Sequence, residues 1–349
     1  MNITVLCGGK SPERDVSIST GTQVAKALRL AGHNVALVDS ALGLHDDYER
    51  MFTSTNDDSV ASISDTAPDI KKLLESPEYF GENVLNVCRC SDMVFNALHG
   101  GAGEDGTVQA AFDLLGIKYT GSGSKACAVS MDKVFTKKIL AGVEGVTMPK
   151  GISIRRDEYR NNKDGIISSV LDNVGLPMVV KPACGGSSVG VSIVTNESEV
   201  ERALNLALGY EPKIVVEQYI KGREFSVGVL GDIALPAIEI RPKTGFYDYK
   251  NKYQQGMTEE ICPAAISENA HKKMQTAALA VHRELKLSAY SRTDFIMTEN
   301  EDVYALEANT LPGMTPMSLL PQEAAAVGID FPSLCQKIID ESMKKYDQD

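Results

Sequence analysis

The chain has no Lys/Arg-rich run long enough to line a groove that neutralises phosphates, and its formal net charge over 349 residues is −12. Nucleic acid is therefore excluded as the expected partner. No apolar run approaches about 18 residues, and the chain enters a strand at once (Ile3–Cys7) without a basic n-region or an apolar h-region. Neither a membrane span nor a secretory signal is expected. The seven cysteines are scattered and odd in number, and Cys88-Arg-Cys90 has no second ligand pair. Without paired spacing they suggest neither a zinc centre nor a disulfide framework, and a reduced, cytoplasmic protein is the expectation. Gly-x-Gly-x-x-Gly is missing, as is the Gly-Lys-Ser/Thr of a Walker loop, and no internal repeat or low-complexity tract is present.

What is there reads as an α/β protein too long for one ordinary core, with two or three domains as the prior. Ile3–Cys7, the turn Gly8–Glu13, an amphipathic segment Val16–Leu30 and Asn34–Asp39 form a βαβ unit. A dinucleotide fold is the competing reading, with Asp39 its only support. Residues 40–90 look like a variable, partly helical excursion. Asp92–Leu98, the glycine-rich His99–Gly106 and Thr107–Leu115 give a second strand, loop and helix, where backbone N–H groups can approach an anion. A helix over Lys133–Ala141 opens a new region, and a boundary falls near residue 131. The segment to residue 219 reads as strands Met178–Lys181, Val191–Val194 and Lys213–Tyr219 with one helix, Ser198–Leu208. Beyond it come long strands, an irregular stretch at 243–260, a helix over 268–286, a hairpin and a terminal helix. The expected division is 1–130, 131–219 and 220–349.

The hairpin, Arg292 to Asn309 around a turn at Asn300-Glu301, is the most informative stretch. Regular pairing sets Asp294 opposite Glu307 and Arg292 opposite Asn309 on one face. The other face would then pair Phe295 with Leu306, Met297 with Tyr304 and Thr293 with Ala308. Two carboxylates, a carboxamide oxygen and a guanidinium together suit Mg²⁺ and anionic oxygens better than they suit a solvated face. Lys181-Pro-Ala-Cys184-Gly185-Gly186-Ser187-Ser188-Val-Gly190 lies between two strands and resembles a flap that closes over nucleotide phosphates, with an ordinary flexible hairpin as the alternative. Lys133 alone is a weak signal, since a lysine in the first turn of a helix is usually solvated.

Met131-Asp-Lys133, Lys181–Gly190, Glu217–Ile220 and Glu307-Ala-Asn309 occur in the order and approximate spacing of the ATP-grasp ligases. Together with Gly8-Gly9-x-Ser11-x-Glu13, His99-Gly…Gly103-Glu-Asp-Gly106, Phe246–Tyr253, Cys262-Pro-Ala and Glu307–Leu319, they resemble the D-alanine–D-alanine ligase family over nearly the whole chain. The resemblance implies a three-domain ATP-grasp fold, with a Rossmann-like N-terminal parallel sheet and two mixed α+β domains that clamp ATP. It implies ATP-dependent joining of two D-alanines through a D-alanyl phosphate, for peptidoglycan synthesis, with D-alanine–D-serine or D-alanine–D-lactate ligation as the nearest alternative. Lys133, Lys181 and Lys252 would hold the triphosphate, and Ser187 and Ser188 would close the lid. Asp294, Glu307 and Asn309 would bind two Mg²⁺ ions, or Mn²⁺ in their place. Glu217 and Glu224 would contact adenine and ribose beside the Gln218, Tyr219 and Ile220 backbone. Glu13 would receive the first substrate's ammonium, with His99 in support. Arg292 and the Gly313 N–H would form the oxyanion hole, Ser318 and the Leu319 backbone would take the second carboxylate, and Tyr253 would cap the site. A homodimer is implied.

Overall fold

The computed structural model describes residues 1–44, 47–55, 68–186, 189–243 and 258–347. Three sheets follow one another along the chain. In the first region β1 (Asn2–Cys7) leads through α1 (Arg14–Leu30) to β2 (Asn34–Asp39). Short helices α2 (Lys71–Leu74) and α3 (Val84–Cys90) precede β3 (Met93–Asn96), and α4 (Thr107–Leu115) and α5 (Ser124–Met131) complete it. The strand order is β2-β1-β3, all parallel. Ile3 to Cys7 are buried without interruption, because helices cover both faces of a parallel sheet.

The βαβ unit is therefore present, but Asp39 is not placed for a ribose. Its carboxylate accepts from both terminal nitrogens of Arg14 and from the Ala41 N–H at 3.0 Å, and it fills the space a side chain on Gly8 would need. Gly8 itself has φ +71°, so the turn is fastened by the ion pair and permitted by the glycine.

The second region holds α6 (Lys133–Leu140), β4 (Gly151–Arg155), α7 (Arg156–Asn161), α8 (Lys163–Asn173), β5 (Met178–Pro182), β6 (Ser192–Val194), α9 (Glu197–Tyr210) and β7 (Lys213–Gln218). Its antiparallel sheet runs β4-β7-β5-β6. Strand alternation sends Met178, Val180, Ile214 and Val216 to a core with α8 and α9, and Val179, Lys181 and Glu217 to the opposite face. The sequence reading of a single helix here is corrected by α7 and α8. Their start signals are polar and local: the Glu158 carboxylate accepts from the Arg155 N–H at 3.0 Å, and the Asn162 side chain accepts from the Gly165 N–H.

The third region comprises β8 (Arg223–Leu230), β9 (Ile233–Ala234), β10 (Ile238–Pro242), β11 (Thr258–Ile261), α10 (Glu268–Glu284), β12 (Tyr290–Met297), β13 (Val303–Asn309), α11 (Leu319–Ala326) and α12 (Phe331–Met343). The sheet path is β11-β10-β8-β12-β13, antiparallel throughout, with β9 on β8. Arg292 stands opposite Asn309, Thr293 opposite Ala308 and Asp294 opposite Glu307, as the regular register requires. A bulge follows immediately, and Phe295 pairs with Ala305, Ile296 with Tyr304 and Met297 with Val303. The expected Phe295–Leu306 and Met297–Tyr304 pairs do not form. Leu306 is the extra residue, and it lines the cleft instead of the core. Phe295, Met297 and Ala305 pack under α10.

The last helix returns to the first sheet. Leu334, Cys335 and Ile338 of α12 share one core with Val24 and Leu28 of α1 and with Phe95, Tyr290 and Leu320. That packing sets Tyr290, two residues before Arg292, in one core with Cys7, which directly precedes the Gly8–Glu13 turn. Among the described residues no helix is long and apolar enough to cross a membrane.

Candidate active site

A cleft lies between the second and third sheets. Val179 and Val191 from one side, and Ile296 and Leu306 from the other, make its apolar part; Lys133, Lys181, Asp294 and Glu307 make its polar part. Gln218, Tyr219, Ile220 and Glu224 line the connection between the two sheets, and Gly185 and Gly186 edge the opening. One apolar slot with a few convergent charges is how a small-molecule site is built.

Glu217 is 3% exposed and serves two ammonium groups. Lys181 Nζ lies 2.5 Å from its Oε2, and Lys137 Nζ lies 2.7 Å from its Oε1. Burial alone would raise this carboxyl, but the two lysines outweigh burial and hold it below the usual carboxylate range. Lys137 is a site residue outside the motifs quoted above. The available signal was its place four residues after Lys133 on α6, which puts both on one helical face. Lys137 also donates to the Pro149 carbonyl at 2.6 Å, tying the helix to the strand entry.

Lys133 is the first residue of α6, whose N-terminus is capped by Asp132 accepting from the Val134 and Phe135 N–H groups. Its Nζ donates to the Gly185 carbonyl at 2.8 Å and lies 3.3 Å from Glu307 Oε2. The ammonium thus joins the stem of the glycine-rich loop to the carboxylate of the other sheet. Cys184, half-buried beside it, lines the same cleft, and burial pushes its thiol up.

Asp294 is the hub of the polar wall. It accepts from Arg292 Nε at 2.8 Å and Nη2 at 2.9 Å, from Ser226 Oγ at 2.8 Å and from Asn309 Nδ2 at 3.0 Å. The Asn309 amide nitrogen is taken up by Asp294, which leaves its carbonyl oxygen as the atom that could ligate a cation. Among the described residues no group of three or more His, Cys, Asp or Glu side chains could form an all-protein metal cage. Two carboxylates and an amide oxygen on adjacent strands instead fit a hard cation that keeps phosphate oxygens and water as its remaining ligands.

On the N-terminal side, Glu13 immediately precedes α1, and its carboxylate reaches both loops that matter. A side chain on Gly100 would collide with its Oε2, and a Cβ on Gly186 would lie 3.8 Å from it. His99 is buried beneath it, Nε2 3.0 Å from Thr20 Oγ1 and Nδ1 3.4 Å from Glu104 Oε1, and Ser11 Oγ donates to the His99 carbonyl at 2.5 Å. Beyond β13, Ser318 Oγ accepts from the Thr315 N–H at 3.1 Å and sits close to Gly313. That hydroxyl makes no side-chain cap on α11, so the first N–H groups of the helix are directed to whatever lies before them. Ser187, Ser188, Lys252 and Tyr253 lie outside the described residues.

Two family models match this chain. One, described as the D-ala D-ala ligase N-terminus, covers residues 2–122, and one described as the D-ala D-ala ligase C-terminus covers residues 140–340. A D-alanine–D-alanine ligase of Pediococcus pentosaceus is 43% identical across 100% of this chain and 99% of its own. That of Lacticaseibacillus casei is 41% identical across 99% and 97%. Among solved structures, the D-alanine–D-alanine ligase of Bacillus anthracis aligns with TM-score 0.78 at 32% identity, over 100% of this chain and 99% of that one. The VanG D-Ala:D-Ser ligase of Enterococcus faecalis aligns with TM-score 0.76 at 26% identity, over 98% and 99%. With the whole chain covered and the cleft assembled from the motifs that carried the resemblance, this protein belongs to the D-alanine–D-alanine ligase family.

Proposed function

We propose that the chain joins two D-alanine molecules to D-alanyl-D-alanine, with ATP cleaved to ADP and phosphate, in the synthesis of peptidoglycan precursors. The observation that carries this reading is the pairing of Asp294 with Glu307 across β12 and β13, on the wall of a cleft that also holds Lys133 and Lys181. A carboxylate oxygen of the first D-alanine attacks the γ-phosphorus of ATP, the bond to ADP breaks, and an acyl phosphate forms. The amine of the second D-alanine then attacks the carbonyl carbon, the bond to phosphate breaks, and the proton leaves to solvent.

The residues divide this work. Lys133 and Lys181, with Lys252, hold phosphate oxygens, and the apolar slot takes the base beside Glu217–Ile220, with Glu224 toward the ribose. The Gly185–Gly190 loop, with Ser187 and Ser188, excludes water from an acyl phosphate that would otherwise hydrolyse. Glu13 binds the first ammonium, and Tyr253 closes the loop against it. Arg292 and the Gly313 N–H face the oxyanion, while Ser318 and the start of α11 hold the second carboxylate. Asp294, Glu307 and Asn309 would hold Mg²⁺, as two ions or with Mn²⁺ in their place, which when bound neutralises charge developing on the transferred phosphoryl group. The regions 1–130, 131–219 and 220–349 act as three domains, and the enzyme works as a cytoplasmic homodimer.

The similarity to a D-Ala:D-Ser ligase makes D-serine the competing second substrate, at 26% identity against 43% for the D-alanine–D-alanine ligase of Pediococcus pentosaceus. ADP release with D-alanine, D-serine, D-lactate and L-alanine, singly and in pairs, tests the assignment. D-Alanine alone is expected to sustain full turnover; release that requires D-serine or D-lactate would reject it.

A further inference from the structure

A second cavity, of about 480 Å³, opens on the helical layer of the second region, between α7, the start of α8 and the end of α9. Its charged lining is entirely cationic, Arg156, Arg160 and Lys163, although the chain as a whole carries −12. Tyr159 and Asn205 supply the neutral polar groups. It does not extend the nucleotide cleft: Tyr159 packs with Met178 and Val180 on one face of the sheet, whereas Val179 and Lys181 face the cleft from the other.

Each polar group has donor capacity to spare. Arg156 uses Nε and Nη2 on the Leu208 carbonyl, at 2.8 and 2.5 Å, which fixes the guanidinium plane and leaves Nη1. Arg160 makes no hydrogen bond or ion pair among the described residues, and Lys163 has one partner, the Glu201 carboxylate at 2.6 Å. Tyr159 is 5% exposed, with the Asn205 amide beside its oxygen, and its O–H donates to no group among the described residues. A buried hydroxyl that donates to nothing keeps a proton for an incoming acceptor. Two guanidinium groups, an ammonium and a phenol converging on one hollow are a donor set for tetrahedral oxyanions, since the planar fork of arginine matches adjacent phosphate oxygens.

We propose that this cavity binds a small, multiply charged phosphate compound, separately from the ligase site. The probe is inorganic pyrophosphate, titrated calorimetrically into the full chain at fixed ionic strength without divalent metal, with citrate as a carboxylate of similar charge. Besides any binding in the ligase cleft, wild type should show a saturable site that Arg160→Glu and Lys163→Glu each weaken by about tenfold or more, with D-alanine-dependent ADP release unchanged. Tyr159→Phe should weaken the same site by about threefold while keeping the fold. Citrate should bind less tightly by about fivefold or more, because each flat carboxylate offers two acceptor oxygens where each tetrahedral phosphate of pyrophosphate offers three. Pyrophosphate binding that both charge reversals leave unaltered, or citrate binding of equal strength, would overturn the proposal. Because neither substitution touches the cleft, loss of ligation would be a separate failure of the ligase reading.

Discussion

Asp294 clamps the guanidinium of Arg292 two residues back on the same strand, Nε on one carboxylate oxygen at 2.8 Å and Nη2 on the other at 2.9 Å. On the proposed function, one side chain therefore supports both the cation site and the group aimed at the oxyanion. Asp294→Asn should remove a charge and one side of the fork together, lowering ADP release by about 10²-fold or more with the fold kept. Arg292→Lys should be similarly severe, and the double variant little worse than either alone. Additive losses in the double variant would mean the two residues act independently.

Lys137 is expected to matter although it is absent from the family-based residue set. Lys137→Met leaves the buried Glu217 with a single ammonium, and should cost about 1–3 kcal/mol of stability. The KM for ATP should rise several-fold because Lys181, then the sole ammonium on Glu217, has less of its charge free for phosphate oxygens. An unfolding midpoint and an ATP KM equal to wild type would show that the Lys137–Glu217 contact at 2.7 Å contributes nothing.

The bulge at Leu306 can be tested by where the damage falls. Leu306→Ala should raise the KM for ATP by about fivefold with little change in the unfolding midpoint, because the side chain faces the cleft. Phe295→Ala, in the core beneath α10, should cost about 3–5 kcal/mol. If Leu306→Ala destabilised as a core truncation does and left ATP binding alone, the regular register would hold instead.

The hairpin also shows what the sequence could and could not disclose. Alternation alone fixed Asp294 against Glu307, because a one-residue slip there would bury a carboxylate in the apolar face. It could not announce the bulge, since Leu306 satisfies an apolar cleft as well as an apolar core. The helices α7 and α8 give little sequence signal because Arg156–Asn161 and the Asn162-Lys163-Asp164-Gly165 junction are polar almost all round, and their caps depend on Glu158 and Asn162 reaching nearby N–H groups. Glu13, His99 and Gly186 could be placed together only through the family resemblance, since no local periodicity links a turn at residue 13 to a loop at residue 186.

Glu323 supplies a pH prediction. It is fully buried on α11 and accepts from the Gly228 N–H at 2.6 Å, an approach that only a glycine at 228 permits. Burial pushes its carboxyl from 4.5 up to about 8, despite the Gly228 N–H and Arg292 pulling it down, with Asp294 adding to the rise. A raised carboxyl keeps its proton in the folded state after the unfolded chain has lost it. Stability from this group therefore falls as pH rises from about 4.5 to about 8, and stays low above that. Glu323→Gln cannot ionise, so its unfolding midpoint should gain on wild type across that window, by the equivalent of a few kcal/mol at the alkaline end. A difference that is flat with pH would show that Glu323 ionises normally.

The central claim is that a D-alanyl phosphate is formed in the cleft between Lys181 and Asp294, and heavy-oxygen labelling tests it most directly. D-Alanine labelled in both carboxylate oxygens is turned over with unlabelled ATP, and the released phosphate is read by phosphorus NMR. Transfer of one labelled oxygen into each phosphate, in step with D-alanyl-D-alanine, is the expected result. Phosphate released without label while dipeptide accumulates would contradict the acyl phosphate and the assignment of the cleft residues built upon it.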